Sequence, residues 1–354
     1  MADKINVIQI HYKDKKRWNS LLQESLTPSY RQTMEYAESK EINNRATATF
    51  IFQRNNEDIA GVHYSTKSLF FSKLKTCDIQ SGVIWKESPD EISLSYIVNH
   101  FIDWAQKNKA AFISFSPWLP LKIDGETTNF EKIYNKILNE KKFTIAKKGR
   151  HTYWLDLKLT EDLLLKKMRR KTRYDVKQGI KSNIVITEVT APDNTIIHRF
   201  WELYSKLGKQ KNFNILKEGI FKHNVNFFLK SGLASLFVAK FGERIINISL
   251  ASKIGIASYM YGAINPDFKK LEGCPPPGHV AQWEMIKTMK RIGLKNYDMG
   301  FCPGPIPNPE HPAYQIWRFK YGFGGMHVEF LPTYVKVLKP ISGRVIRYLK
   351  YKQL

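Results

Sequence analysis

The sequence is poor in cysteine and contains no long apolar run. Only Cys77, Cys274 and Cys302 occur among its 354 residues, at wide spacing. Such spacing supports neither a disulfide framework nor a thiolate zinc site. No apolar run approaches the roughly 20 residues that span a bilayer, and the first residues carry charge without the apolar segment of a signal peptide behind them. We therefore expect a cytoplasmic protein.

Several chemical signatures are also missing. The nine histidines show no zinc-protease spacing, and neither a G-x-S-x-G elbow nor a Walker loop occurs. The usual acetyl-CoA signature of acyltransferases, Gln or Arg followed by x-x-Gly-x-Gly, is absent as well. The sequence thus predicts neither a metal nor a cofactor, and it argues against a CoA thioester as a donor.

Acidic residues are few relative to basic ones. The chain has 56 Lys and Arg against 32 Asp and Glu, a net charge of +24. The excess is greatest over residues 166–181, which hold eight basic residues and one acid, Asp175. A surface this positive repels itself unless an anion is present. A solvated surface helix remains an alternative here, but we favour a helix that contacts phosphates.

The length and the pattern of elements predict two domains. Apolar residues make up 43% of the chain, which is enough to fold. A helix pair, a hairpin, a strand, a helix and a strand follow one another twice, with a boundary at residues 147–151. Single helices are expected over residues 28–42 and 161–181. This order is typical of α/β (α+β) domains with mixed sheets flanked by helices, and two GNAT-type acyltransferase domains would fit it.

The stretch from Trp317 to Gly325 is the most informative. It places Arg318 and Lys320 among four aromatics and three glycines. A lysine held among aromatic side chains can place an unscreened charge against a developing oxyanion. The alternative is a bulged strand whose lysine extends to solvent. Asp298, at the end of a predicted strand, is either a general base or a structural acid, and both remain open.

Several motifs together resemble the FemABX family, whose enzymes use aminoacyl-tRNA to extend the peptide of peptidoglycan precursors. In the second half they are Tyr259-Met260-Tyr261-Gly262, Trp283-Glu284, Tyr297-Asp298-Met299-Gly300, Arg318-Phe319-Lys320 with Gly322-Phe323-Gly324-Gly325, and Lys171-Thr172-Arg173-Tyr174. In the first half Gln32, Tyr36-Ala37, Lys40 and Ser81-Gly82-Val83 resemble the family more loosely. The likeness covers most of the chain.

The resemblance implies two tandem GNAT-like domains of the acyl-CoA N-acyltransferase fold, without the coiled-coil arm of some members. Residues 1–150 and about 330–354 would form the first domain, on the acceptor side. Residues 151–329 would form the second, on the donor and tRNA side. The enzyme would move an amino acid from aminoacyl-tRNA to an amine of a UDP- or lipid-linked precursor peptide, and form an amide.

The resemblance also assigns roles to residues. Lys320 would face the reacting ester, with Asp298 as a weaker catalytic candidate. Lys40 would meet the phosphates of the acceptor, and Tyr259 and Tyr261 would line its cleft. Phe319 and Arg318, beside Lys320, are further substrate-binding candidates. The charge of residues 166–181, and not the resemblance, gives the tRNA-binding candidates Lys167, Arg169, Arg170, Lys171 and Arg173.

One departure from the family pattern bears on the acceptor. Where members tend to show an Arg and an Asp before a proline, this chain reads Ser114-Phe115-Ser116-Pro117, so both charges are missing. A non-peptidoglycan acceptor, such as a secondary metabolite or another envelope amine, therefore stays open. So do a thioester-dependent N-acyltransferase and a non-catalytic RNA-binding protein. The basic, amphipathic residues 341–354 either contact an anionic membrane at its inner face or pack on the first domain.

Overall fold

The computed structural model describes residues 4–40, 45–69, 74–211 and 214–351. The chain divides into two compact units, which we call unit 1 and unit 2. Unit 1 combines Met1–His151 with His327–Leu354, and unit 2 is Thr152–Met326. The last strands of the chain thus belong to the same unit as the first.

Strands and helices alternate along the first part of the chain. The strands are β1 (Ile5–Ile10), β2 (Arg45–Arg54), β3 (Glu57–Leu69), β4 (Leu74–Ile79), β5 (Val83–Trp85), β6 (Ala110–Phe115), β7 (Pro120–Ile123), β8 (Glu126–Thr127) and β9 (Thr144–Lys147). The helices are α1 (Lys15–Gln23), α2 (Met34–Ser39), α3 (Glu91–Lys107) and α4 (Phe130–Glu140).

The second part contains strands β10 (His151–Asp156), β11 (Ile184–Val189), β12 (Ala234–Phe241), β13 (Arg244–Ser252), β14 (Ala257–Ile264) and β15 (Asn296–Asp298). Its helices are α5 (Glu161–Lys167), α6 (Arg170–Lys181), α7 (Asn194–Lys211), α8 (Glu218–Lys230), α9 (Pro277–Arg291) and α10 (Tyr314–Tyr321). The chain ends with β16 (Met326–Phe330), β17 (Thr333–Val337) and α11 (Pro340–Tyr351).

The sheet of unit 1 has the strand order β1-β2-β3-β4-β6-β17-β9, with β5 paired to β3. β4 and β6 run parallel, while the other pairs are antiparallel. The C-terminal strand β17 thus lies between β6 and β9. Every residue of β6 is buried, and α3 and α4 pack their apolar faces on this sheet through residues that include Phe101 and Tyr134.

In unit 2 the strand order is β11-β12-β13-β14-β15-β10, and β14 and β15 are parallel. Helix α9 buries Trp283, Met285, Ile286 and Met289 in the core of this unit. Mixed sheets flanked by helices are therefore confirmed. The longest helix within the described ranges, α7, has 18 residues, and none of the helices there combines the length and the apolar character needed to cross a bilayer.

Two of the predicted helices are wrong. Over residues 28–42 the structure has a 3-10 turn at Tyr30–Gln32 and the short α2, and residues 41 and 42 lie outside the described residues. Ser29 caps the turn and Thr33 caps α2, so each cap starts a separate element. Over residues 161–181 the helix breaks between α5 and α6. There Met168 and Arg169 adopt extended backbone angles, with the Met168 side chain buried.

Candidate functional site

Lys320 lies in a closed environment on α10. Its side chain is only 7% exposed, and its Nζ donates a hydrogen bond to the carbonyl oxygen of Phe301 at 2.8 Å. Gly300, at φ +76°, lies directly beside the ammonium group. A Cβ at this position would come within 3.1 Å of Nζ and 2.8 Å of the Tyr259 carbonyl oxygen. The glycine therefore provides the space that the lysine occupies.

Burial also sets the charge state of Lys320. It lowers the pKa of the amine from 10.5 to about 8, although the nearby Asp298 and Cys302 raise it. At neutral pH the group is therefore still mainly an ammonium ion. A buried ammonium acts through a low dielectric, so it stabilises a developing negative charge better than an exposed lysine does.

Asp298 ends β15 next to this lysine and is itself buried. Its carboxylate accepts hydrogen bonds from the Thr152 hydroxyl and from the Gly300 backbone N–H, the latter at 2.7 Å. Both donors fix the carboxylate and stabilise its charged form. This arrangement favours a structural acid that supports Lys320 over a general base.

The other substrate-binding candidates of unit 2 lie on β14 (Tyr259 and Tyr261) and on α10 (Arg318 and Phe319). The ring centroid of Tyr259 lies 5.7 Å from the Lys320 Nζ, and burial raises the pKa of Tyr259 to about 12. Phe319 packs against His279 and is half-buried. Arg318 is exposed. Tyr261 packs against aromatic rings of α7 and α8.

Cys302 also lies near Lys320, but its thiol does not fit a nucleophile. Burial raises the pKa of Cys302 to about 11, so the thiol is protonated at neutral pH. In the part of the chain that the structure describes, no group of three or more His, Cys, Asp or Glu residues is placed to hold a metal ion.

The predicted tRNA-binding residues cluster where α5 meets α6. We call this surface the basic elbow, and its members are Lys167, Arg169, Arg170, Lys171 and Arg173. All are exposed except the half-buried Arg173. The Arg169 guanidinium lies 5.6 Å from the ring centroid of Tyr321, at the end of α10. The Arg169 backbone N–H donates to the Gly322 carbonyl at 2.9 Å.

Two glycines allow this contact between the elbow and α10. A Cβ on Gly322 would lie 2.3 Å from the Thr172 hydroxyl, and one on Gly324 would lie 2.2 Å from the Lys167 carbonyl oxygen. Gly324 also has a φ of +74°, which side chains rarely adopt. The segment after Trp317 is therefore a helix that ends in a glycine-rich turn, and the bulged-strand alternative is wrong. Lys320 and the basic elbow lie on adjoining elements of unit 2.

Unit 1 contains a second set of cations, around Tyr36. Lys40 Nζ lies 4.3 Å from the centroid of the Tyr36 ring, and Arg31 donates to its hydroxyl at 3.4 Å. Burial raises the pKa of Tyr36, but the charges of Arg31 and Lys40 outweigh it, and the net shift is downward. Arg31 and Tyr36 also line a pocket of about 310 Å³ with Lys147 and Arg150. Lys40 and Arg45 line a second cavity that shares Arg31 and Tyr36 with the first, and we call the two cavities together the cationic pocket.

Sequence reasoning found Lys40 but missed the other cations of this pocket. Arg31, Arg45, Lys147 and Arg150 come from separate parts of the chain, and neither their spacing nor a motif connects them. Only the fold brings them together, since β4, β6 and the segment after β9 border the same pocket.

Next to Ser114 the structure places an Arg and an Asp that come from other strands of the sheet. Asp78 on β4 is the register partner of Ser114 on β6, and the Ser114 hydroxyl donates to its carboxylate. Arg45 on β2 bonds the same carboxylate at 3.2 Å. An Arg–Asp pair therefore borders the pocket after all, although from different positions in the sequence. Asp78, the only acid of β4, was the available signal.

Comparison with known proteins agrees with this architecture. Among solved structures the chain is similar to FemX, with a TM-score of 0.83 and 16% identity over 97% of this chain and 100% of that one. It is also similar to L-PGS from Bacillus licheniformis, with a TM-score of 0.56 and 12% identity over 96% of each chain. A tandem GNAT protein from the clavulanic acid pathway has a TM-score of 0.53 and 8% identity, over 94% of this chain and 98% of that one. No curated protein matches the sequence.

The fold is that of two tandem GNAT-like domains. A sequence model of the FemAB family matches residues 14–254, which is more than half of the chain. The protein belongs to the FemAB family. It is thus an aminoacyltransferase of peptidoglycan bridge formation, with an aminoacyl-tRNA donor and, in general terms, a peptidoglycan precursor as acceptor.

Proposed function

We propose that the protein joins the amino acid of an aminoacyl-tRNA to an amine of a UDP- or lipid-linked precursor peptide, with Lys320 at the reacting ester. One observation carries this proposal. Lys320 is a buried ammonium that lies on the element adjoining an exposed basic surface. A polyanion held on the basic elbow would have its end next to a group that stabilises negative charge.

The reaction needs little beyond positioning and charge stabilisation. The acceptor amine, in its neutral form, attacks the carbonyl carbon of the ester, and the C–N bond forms as the carbonyl oxygen becomes negative. The Lys320 ammonium donates a hydrogen bond to this oxyanion. The bond to the terminal ribose oxygen then breaks, and that oxygen takes up the proton that the amine loses. No dedicated base is required, since the ribose or a water can carry the proton.

The basic elbow would hold the phosphates near the tRNA end. Its arginines and lysines surround the N-terminus of α6, where free backbone N–H groups also favour an anion. Phosphate contacts position a nucleic acid without reading its sequence. We therefore assign the elbow to positioning, and the choice of amino acid to other residues.

The cationic pocket of unit 1 would hold the acceptor. Both a nucleotide-linked and a lipid-linked precursor carry a diphosphate, which several arginines and a lysine can bind. Lys40 and Arg31 flank Tyr36 there, and Arg150 lines the same pocket as Arg31. We place the reaction in the cytoplasm, where peripheral contact with an anionic membrane would suit a lipid-linked acceptor.

The substitution Lys320→Ala tests the proposal. We expect transfer to fall by about 100-fold to 1000-fold, because one buried oxyanion donor is removed. The assay incubates the purified protein with charged tRNA and precursor and identifies the extended acceptor by mass. Lys269→Ala, at an exposed lysine of the 3-10 helix Pro266–Lys270, is the matched control and should keep full activity.

Two results would contradict the proposal. One is turnover of Lys320→Ala at the rate of the unchanged protein. The other is turnover in a mixture that also holds aminoacyl thioesters and that survives ribonuclease treatment, which would indicate a thioester donor instead of tRNA. Salt-sensitive RNA binding without any amide product would leave only the non-catalytic alternative.

A further inference from the structure

We infer that α11 is a docking surface for an anionic lipid membrane. Three large apolar side chains of this helix are exposed, namely Ile341 at 85%, Val345 at 51% and Tyr348 at 58%. Their spacing of four and three residues places them on one side of a helix, within an arc of about 60°. We call this row the apolar stripe.

The opposite side of α11 is fixed to unit 1. Gly343 lies nearly diametrically across the helix from the apolar stripe. A Cβ at Gly343 would come within 2.4 Å of the Ala111 carbonyl oxygen and 2.7 Å of the Val337 side chain, so the helix backbone lies directly on β6 and β17. Packing on the first domain was one of two alternatives for this segment. The structure shows that packing, and it leaves the apolar stripe turned away from it.

The charge around the apolar stripe identifies the partner. Residues 340–354 contain four basic residues and no acid. Arg344 and Arg347 are both exposed, and Arg344 lies next to the stripe, about 40° from its edge around the helix. A second copy of this chain would bring these like charges together, which opposes association. An anionic bilayer offers negative head groups to the arginines and an apolar boundary to Ile341, Val345 and Tyr348.

The position of α11 also connects the membrane to the cationic pocket. Tyr351, the last residue of the helix, lines the pocket that contains Arg31 and Arg150. A docked α11 would hold this pocket near the head groups, where the diphosphate of a lipid-linked acceptor lies. This consequence for the acceptor rests on the proposed function, whereas the docking itself does not.

Vesicle flotation without tRNA or acceptor tests the docking. The full-length protein should float with vesicles of phosphatidylcholine and phosphatidylglycerol, and much less with phosphatidylcholine alone. The double variant Ile341→Asn, Val345→Asn should bind vesicles about tenfold or more weakly, since the apolar side chains that enter the bilayer are removed. Arg344→Gln, next to the stripe, should weaken binding about fivefold.

Matched controls remove exposed side chains elsewhere. Ile92→Asn with Val185→Asn replaces two apolar residues that are 67% and 64% exposed. Lys132→Gln with Lys158→Gln removes two exposed charges. Both controls should bind vesicles like the unchanged protein, and circular dichroism should show that every variant is folded.

Equal flotation of the stripe variant and its control would overturn the inference. A dimer that the stripe variant converts to a monomer in sedimentation would also overturn it and assign the face to a second copy. The proposed function is judged separately, by transfer to a soluble nucleotide-linked acceptor without vesicles. If that transfer is absent while flotation follows the stripe, the docking stands and the proposed function fails.

Discussion

At the scale of single residues, the site depends on one lysine whose burial is costly. Burial alone would favour the neutral amine, yet Asp298 keeps the charged form accessible. Asp298 is in turn held by Thr152 and Gly300, so its negative charge is fixed next to the ammonium. The charge state of Lys320 therefore depends on the Asp298 carboxylate, and the pH dependence of transfer should change when that carboxylate is removed.

The substitution Asp298→Asn should move the pH profile. With the pKa of Lys320 at about 8, transfer should fall as pH rises through that value, because the oxyanion donor loses its proton. At lower pH, transfer should rise with pH, because more of the acceptor amine is then in its neutral form. Without the carboxylate the pKa of Lys320 falls further, so the descending limb should shift to lower pH while activity remains below it.

The measurement is kcat/KM against pH, corrected for hydrolysis of the ester without enzyme. Lys320→Arg is the control, since a guanidinium stays charged and should abolish the descending limb even at a lower rate. Loss of activity at every pH in Asp298→Asn would show that the carboxylate is a general base. An unchanged descending limb in Lys320→Arg would show that Lys320 does not control it.

At the scale of elements, the packing of α6 on α9 positions the basic elbow. Gly179 on α6 is buried, and a Cβ there would lie 2.4 Å from Cβ of Val280 on α9. Close approach of the two helices thus requires a residue without a side chain at this position. Arg170, Lys171 and Arg173 of the elbow lie near the N-terminus of the same helix, so a shift of α6 would move these cations.

Two glycine-to-alanine substitutions should have opposite effects on stability. Gly179→Ala overpacks the α6–α9 contact and should lower the free energy of unfolding by about 1–3 kcal/mol. Gly219→Ala, in α8, meets nothing within 4 Å and should raise it by about 0.4–1 kcal/mol, because the unfolded chain loses freedom. Urea unfolding measures both values. Equal destabilisation by the two substitutions would contradict the packing argument.

Local patterns predicted elements well where the signal itself was local. The buried strand β6, the hairpin of β12 and β13, and the helix around Trp283 follow from apolar spacing. The break between α5 and α6 could not be predicted, because the hydrogen bond made there, from the Arg169 backbone N–H to the Gly322 carbonyl, joins residues far apart in the sequence. The Arg45–Asp78 pair was missed for the same reason: its two residues lie on different strands.

At the scale of the whole molecule, the net charge of +24 raises the question of whether RNA binding is local. A uniformly basic surface would bind RNA through many weak contacts. A footprint on the basic elbow would concentrate the contacts in a few side chains. Both bind more weakly as salt increases, since each phosphate contact releases counterions, so the salt dependence of matched variants is needed to separate them.

Two variants that each carry four fewer positive charges separate these possibilities. The elbow variant changes Lys167, Arg169, Arg170 and Lys171 to Gln, and the control variant changes Lys107, Lys132, Lys158 and Lys230 to Gln. The slope of log affinity against log salt, measured with charged tRNA, should decrease by about 0.7–0.9 for each phosphate that the elbow variant no longer binds. The control variant should keep nearly the original slope, because its lysines lie outside the elbow. Equal slopes in the two variants would mean that the net charge, and not the elbow, binds the RNA. The donor would then have no specific contact that positions it next to Lys320.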